Sequence, residues 1–273
     1  MAKPLGNRAA RLSEVQALRT VKGRREQGCF GFEGPTLLAE AQRSGVEIRE
    51  LYVTPDAFES SPLARALDAA GTPTFLIDPR AAAALSDVAT PTGLLAVAAT
   101  RLRPLEELFI QRAGVLLVLG DLNDPANAGT LLRSADAFGA LGVVFGSRGV
   151  DPYHPKVVRG AMGALFRLRV ARCDPESVFR AAAGAGFTVL GLRSGGTPLG
   201  SVAWPARSAL VVGHERRGLE RWEAGCERLI GIPIDAGAES LNAAIAGSIA
   251  LYTATAGSLG EPPRPACQDS VYD

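Results

Sequence analysis

The chain has 273 residues, 47% hydrophobic and 21% charged, and 29 Lys and Arg against 28 Asp and Glu leave a net charge of +1. That apolar content excludes a disordered or fibrous chain, and the length suits two ordinary domains. The balanced charge excludes a bulk field for polyanions, so any nucleic-acid contact must come from local patches.

Residues 8 to 25 read as a basic, weakly amphipathic helix with Leu12, Val15, Leu18 and Val21 on one side. They carry six basic residues (Arg8, Arg11, Arg19, Lys22, Arg24, Arg25) against Glu14. A short strand near Phe30 follows, then a helix opened by Pro35 and closed by Gly45. Strands at 48–53, 74–77 and 94–99 alternate with helices at 57–70 and 79–85, which makes a compact α/β unit. The stretch from Arg101 to Arg112, with Pro104 and several charges, reads as a linker. Beyond it strands are expected at 115–119, 142–145, 166–170, 187–191, 209–213 and 228–233, with helices between. This alternation calls for a parallel sheet covered on both faces, with ligands at the carboxyl ends of its strands. The tail from Gly260, with Pro262, Pro263 and Pro265, reads as loose.

Several chemistries are excluded by what the chain lacks. Cys29, Cys173, Cys226 and Cys267 form no C-x-x-C pair, which removes zinc and disulfide scaffolds and suits a reducing cytoplasm. Only His154 and His214 are present, too few for His-based triads or ligand sets. Neither a dinucleotide-binding nor a P-loop glycine pattern occurs, and apolar runs such as 93–99 and 115–119 are too short for a membrane span.

Three segments follow predicted strands. Asp124-Pro125-Ala126-Asn127-Ala128-Gly129-Thr130 leads into a helix carrying Arg133, and Asn127 alone could be a helix cap. Gly213-His214-Glu215-Arg216-Arg217-Gly218 brackets a carboxylate with glycines, or is an ordinary turn. Ile232-Pro233 runs to Ser240-Leu241-Asn242 before a small-residue helix, where a serine cap is the plain reading.

Taken together, the three segments resemble the motifs of the SpoU-type RNA ribose 2′-O-methyltransferases of the SPOUT, or trefoil-knot, superfamily. D-P-x-N-x-G-[ST]-[IL]-x-R-[ST]-A is matched from Asp124 to Ala135, G-x-E-x-x-G from Gly213 to Gly218, and I-P to S-L-N from Ile232 to Asn242. Residues 155–166 are similar to the segment between the first and second motifs. Phe32-Glu33-Gly34-Pro35 and Thr90-Pro91-Thr92-Gly93 resemble a substrate-binding domain related to kink-turn-binding ribosomal proteins. Departures are small: Ala243-Ala244-Ile245 stands for the common V-S-V, Ile234 for Met and Ala161 for Ser.

The resemblance implies a basic N-terminal helix or arm (1–25), a smaller α/β RNA-binding domain (26–103), a linker (104–112), a knotted α/β methyltransferase domain with a parallel sheet (113–258) and a flexible tail (259–273). It implies S-adenosylmethionine as cofactor, lined by Gly213, Ile232 and Leu241 and held largely through backbone groups. Arg133, Asn127, Glu215, Ser240 and Asn242 would form the catalytic set, completed across a homodimer. Arg is effectively always protonated, so Arg133 suits stabilising a developing oxyanion and gripping a phosphate better than acting as a base. Lys156, Arg159, Arg24 and Arg25 would contact RNA, helped by Arg167, Arg169 and Arg172, against Asp151 alone in that stretch. The expected product is a ribose-methylated RNA, most readily 23S rRNA because smaller members acting on tRNA lack the first domain. A tRNA ribose methyltransferase and a non-catalytic RNA-binding assembly factor are the alternatives, and no metal or membrane is involved.

Overall fold

The computed structural model describes residues 2–6, 9–110, 113–238 and 240–256. Arg8, Glu239, Cys267, the last two linker residues and the tail expected to be loose lie outside them. Among the described residues no helix is long and apolar enough to cross a membrane, and no His, Cys, Asp or Glu cluster could hold a metal ion.

The first half is built from β1 (Lys3–Pro4), α1 (Ala10–Ala17), α2 (Val21–Gln27), β2 (Cys29–Glu33), α3 (Pro35–Arg43), β3 (Ile48–Val53), α4 (Pro55–Ser60), α5 (Pro62–Ala69), β4 (Thr74–Leu76), α6 (Pro79–Leu85) and β5 (Leu94–Ala99). Its sheet has the order β1-β4-β3-β5-β2 and is mixed: β5 runs antiparallel to β2 and β3, while β4 runs parallel to β1 and β3. Thr54, Ser61 and Asp78 cap α4, α5 and α6 by accepting from the backbone N–H three residues on, each just ahead of a proline. Pro62 also explains why the single helix expected at 57–70 is two: it holds Ser61 extended, and the helix restarts behind it.

The basic segment is not a detached arm. Its helix breaks after Leu18, and Thr20 caps α2 by accepting from the Gly23 N–H. Leu12, Val15 and Leu18 are buried with Tyr52, Ile77 and Val97 on one face of the first sheet, and β1 pairs with β4 at its edge. The break turns Arg24 inward. Only 2% exposed, Arg24 donates to the carbonyls of Leu18 and Arg19 and lies 3.4 Å from Asp151 in the second half. The assignment of Arg24 to an RNA contact is therefore corrected: it is an interior cation bridging the two halves.

The second half contains α7 (Leu105–Leu108), β6 (Gly114–Leu119), α8 (Pro125–Ala137), β7 (Gly142–Gly146), α9 (Pro155–Gly160), α10 (Ala164–Arg167), β8 (Val170–Cys173), α11 (Pro175–Ala185), β9 (Thr188–Pro198), β10 (Arg207–Val212), β11 (Arg228–Gly231) and α12 (Ala243–Thr255). The six strands are all parallel, in the order β11-β9-β10-β6-β7-β8. Side chains of β6 alternate between two cores. Val115, Leu117 and Leu119 meet α8, α9 and α12, whereas Leu116 and Val118 meet α11 and the buried Trp222.

Two expectations shift here. The strand expected at 166–170 begins only at Val170, because residues 164–167 close a helical turn. The expected linker is partly core, since Leu105, Leu108 and Phe109 are buried against the second sheet and Phe109 meets Phe187 edge-on at 5.1 Å.

The halves share one continuous apolar cluster. Phe30 lies 4.6 Å from Tyr153 and Phe32 lies 5.3 Å from Phe166, ring centre to ring centre. Around these rings Arg159 pairs with Asp87 at 2.7 Å, and Arg167 bridges Glu40 and Asp136.

Candidate functional site

In the parallel sheet β6 and β10 are neighbours, but the chain leaves β6 toward β7 and reaches β10 from the opposite side, through β9. Such a reversal opens a crevice at the carboxyl ends of the strands. A cavity of about 360 Å³ lies at this end, within the range of small-molecule sites.

Its walls come from segments distant in sequence. Val212 and residues 213–218 supply one side, Ile232 and Ile234 another, and Ser240 and Leu241 with Ala243 and Ala246 of α12 a third. Leu192, Arg193 and Ser194 complete it. Sequence reading did not anticipate these three, because β9 was expected to end at residue 191; its second half instead pairs with β11 after a register shift at Leu229/Ile230. The 213–218 segment is a tight turn in which the backbones of His214 and Gly218 exchange two hydrogen bonds of 2.8 and 2.9 Å. A Cβ on Gly213 would lie 2.3 Å from the Gly218 carbonyl oxygen, so only glycine fits there.

The three motif segments meet in one directed chain of hydrogen bonds. The carboxamide oxygen of Asn242 accepts from the N–H groups of Ala244 and Ile245 and caps α12, which leaves its Nδ2 to donate to Asn127 Oδ1 at 2.9 Å. Asn127 Nδ2 in turn donates to Glu215 Oε1 at 3.1 Å, and the same oxygen accepts from the Asp124 N–H at 3.1 Å. Both amides use both ends. An Asp at 242 would cap the helix but have no donor for Asn127, and an Asp at 127 could not donate to Glu215. Burial pushes the Glu215 carboxyl pKa up, but hydrogen bonds from its own N–H, from Asn127 and from the Asp124 and Asn123 N–H groups outweigh this and hold it below the usual carboxylate value. Glu215 is thus an anion at neutral pH, its side chain 23% exposed.

Capping roles differ from the plain readings. Asp124, not Asn127, caps α8 by accepting from the Ala126 N–H, and Asn242, not Ser240, caps α12. Asn127 is buried in the first turn of α8. Arg133 is not brought into this group. Six residues beyond Asn127, it sits about 240° further round the helix, exposed, and its guanidinium has no hydrogen bond or ion pair among the described residues. α12, which packs on α8 through Ser134 and Ser248, presents Ile245, Ile249 and Tyr252, exposed by 52, 40 and 54%. Of the expected RNA contacts, Lys156 and Arg25 are exposed, while Arg159 holds Asp87.

Residues 114–252 match the profile of the SpoU rRNA Methylase family, and residues 10–96 match the MRM3-like substrate binding domain. The chain belongs to the SpoU rRNA methylase family. It is 29% identical over 246 residues to the Bacillus subtilis 23S rRNA (guanosine(2553)-2′-O)-methyltransferase RlmP, covering 89% of this chain and 94% of that one. It is 36% identical over 138 residues to the Streptomyces viridochromogenes 23S rRNA (uridine(2479)-2′-O)-methyltransferase, covering 48% of each. The crystal structure of the SpoU methyltransferase AviRb from S. viridochromogenes, in complex with AdoMet, superposes with a TM-score of 0.85 at 28% identity, covering 93% of this chain and 100% of that one. An AdoMet-bound rRNA methyltransferase from Sinorhizobium meliloti gives 0.84 at 26% identity, with 93% and 97% covered.

Proposed function

We propose that this protein methylates a ribose 2′-hydroxyl of 23S rRNA in the cytoplasm, using S-adenosylmethionine. The observation that carries the reading is the Asn242–Asn127–Glu215 chain, which joins all three family motifs at the rim of one cavity. The cavity suits that cofactor. Leu192, Val212, Ile232 and Leu241 offer apolar surface for an aromatic base, and the bare backbone at Gly213 lets a ligand approach closely. When bound, the cofactor supplies an electrophilic methyl group on a sulfonium.

The protein's own part is to position groups. Gly213, Ile232 and Leu241 line the cofactor's side, and Glu215 and Asn127 fix the relative placement of the loops after β6 and β10. Ser240 and Asn242 set the entry to α12. Arg133 stabilises the negative charge that develops on the attacking ribose oxygen and grips the neighbouring phosphate by its planar fork.

The proposal includes a homodimer in which Arg133 of one copy completes the site of the other. Supporting it are the exposed apolar face of α12, the Arg133 guanidinium on the neighbouring α8 that has no partner among the described residues, and the absence of Arg133 from its own chain's cluster. It also includes the knotted course of the last segments, supported by the convergence of loops from distant strands on one cavity. The first half docks the RNA through Arg25, and Lys156 and, once released from Asp87, Arg159 of α9 in the second half continue the path of the phosphates.

The test uses the chemistry of the product. Alkali cleaves RNA through attack of the 2′-hydroxyl on its own phosphate, so a ribose methyl group removes one rung from an alkaline ladder. Ribosomal RNA treated with this protein and S-adenosylmethionine should show that gap, and a 2′-deoxy substrate should accept nothing. Labelled methyl recovered on a free base would overturn the reading.

A further inference from the structure

Asp121 belongs to none of the motifs above, yet its carboxylate accepts four hydrogen bonds close to the cavity. Its backbone is left-handed, φ 56°, a region few residues other than glycine enter and one that Asp and Asn tolerate best. Its side chain is buried. Oδ2 accepts from Arg221 Nε at 2.7 Å and from Trp222 Nε1 at 3.0 Å, while Oδ1 accepts from the Arg148 N–H at 3.0 Å and Arg221 Nη2 at 3.2 Å. Arg221 also donates to Ser147 Oγ at 3.0 Å. The neighbourhood is built around this carboxylate: a Cβ on Gly146 would lie 2.4 Å from Asp121 Oδ1.

The arrangement mirrors that of Glu215. Glu215 reaches from the loop after β10 to the loop after β6, where it accepts from Asp124 and Asn127. Asp121 reaches the opposite way, from the loop after β6 to Arg221 and Trp222 just beyond the 213–218 turn. The cavity-lining turn is therefore held by β10 at one end and by Asp121 at the other. Trp222, fully buried and edge-on to Phe179 at 5.9 Å, gives that second anchor a fixed seat.

We propose that Asp121 is a positioning residue for the cofactor, which sets the shape of the 213–218 turn by anchoring Arg221 and Trp222. This rests on the reading of the cavity as the S-adenosylmethionine site. Among the described residues, none of the hydrogen bonds that Asp121 accepts comes from a residue lining the cavity, so its effect falls on cofactor affinity rather than on turnover once the cofactor is seated.

The test uses the intact chain carrying Trp204→Phe, which leaves Trp222 as the only tryptophan. S-adenosylmethionine is titrated by calorimetry and by Trp222 emission. Asp121→Asn keeps the size and tolerates the left-handed backbone, and Asp121→Gly relieves that backbone altogether. Arg221→Met leaves position 121 untouched and empties its strongest bond. All three should weaken cofactor binding about tenfold, as expected for loss of hydrogen bonds to a charged group. All three should alter Trp222 emission and keep turnover at saturating cofactor within about threefold of the parent. Parent-like affinity in Asp121→Gly would show that position 121 serves only its backbone shape. Parent-like affinity in Asp121→Asn and Arg221→Met, with melting curves showing them folded, would overturn the proposal directly. A Trp204→Phe parent that binds no S-adenosylmethionine would instead overturn the cofactor reading on which it rests.

Discussion

Asn127 shows how much a single carboxamide can organise. It receives from Asn242 and gives to Glu215, so replacing it with Asp puts two carboxylates against each other where a donor is needed. Asn127→Asp should lower kcat/KM at least thirtyfold, equivalent to about 2 kcal/mol, the scale of a lost hydrogen bond to a charged group; methyl incorporation from labelled cofactor measures it. Arg133→Ala should abolish methyl transfer with cofactor affinity nearly unchanged, and equal losses in both would make Arg133 a cofactor ligand. Asp121 and Glu215 also predict an acid limit. Burial raises each pKa, but the hydrogen bonds they accept outweigh it, and both end below their unfolded values near 4. Their stabilisation is therefore complete above about pH 4 and is lost as pH falls through the depressed values. Melting followed from pH 7 to pH 3 should show wild type losing stability on the acid side more steeply than Asp121→Asn. Residue identity made the motif positions legible in the sequence, but not who bonds whom. Asn127 and Ser240 both looked like helix caps, but the caps are Asp124 and Asn242: Asp, Asn and Ser cap about equally well, so local propensity does not say at which of them the first turn begins.

α12 is small and apolar on nearly every side, so periodicity gives no hint of which face is buried. Packing decides it: Ala244, Gly247, Ala250 and Leu251 go inward, and Ile245, Ile249 and Tyr252 recur at i, i+4 and i+7 on the open side. Tyr252→Arg should shift the protein from dimer to monomer by light scattering and reduce methyl transfer, while cofactor binding persists. A wild-type protein that is monomeric and active at assay concentration would refute the shared site. Elements with clear punctuation were legible. Pro35 and Pro79 open the helices expected there and the alternating strands of the second half form the expected parallel sheet, whereas Pro62, inside the helix expected at 57–70, divides it in two. Elements whose local pattern was ambiguous were not. Phe166-Arg167-Leu168-Arg169 alternates like a strand, yet its first half closes the turn of α10. In the single helix expected over 8–25 Arg24 falls on the basic side, and only the break capped at Thr20 sends it inside.

At the scale of the molecule, the cores of the two halves are continuous through Phe30, Phe32, Tyr153 and Phe166, which predicts that they unfold together. Calorimetry should give a single unfolding transition. Phe30→Ala, which empties a fully buried site at this junction, should cost about 3–5 kcal/mol and lower that one midpoint rather than split it. Two independent transitions in wild type would show the junction to be weak. The order in which the cavity's walls occur along the chain sets a schedule for its appearance. Residues 2–99, with the first sheet, leave the ribosome first, and synthesis at roughly 5–20 residues per second lets such a unit form early. The cavity draws its walls from residues 192 to 246, and the cap at Asn242 needs the helix that follows it. On the proposed reading, a nascent chain carries its docking half without a catalytic one for most of its synthesis, and translation that stops short of residue 242 should yield a product that occupies substrate without modifying it.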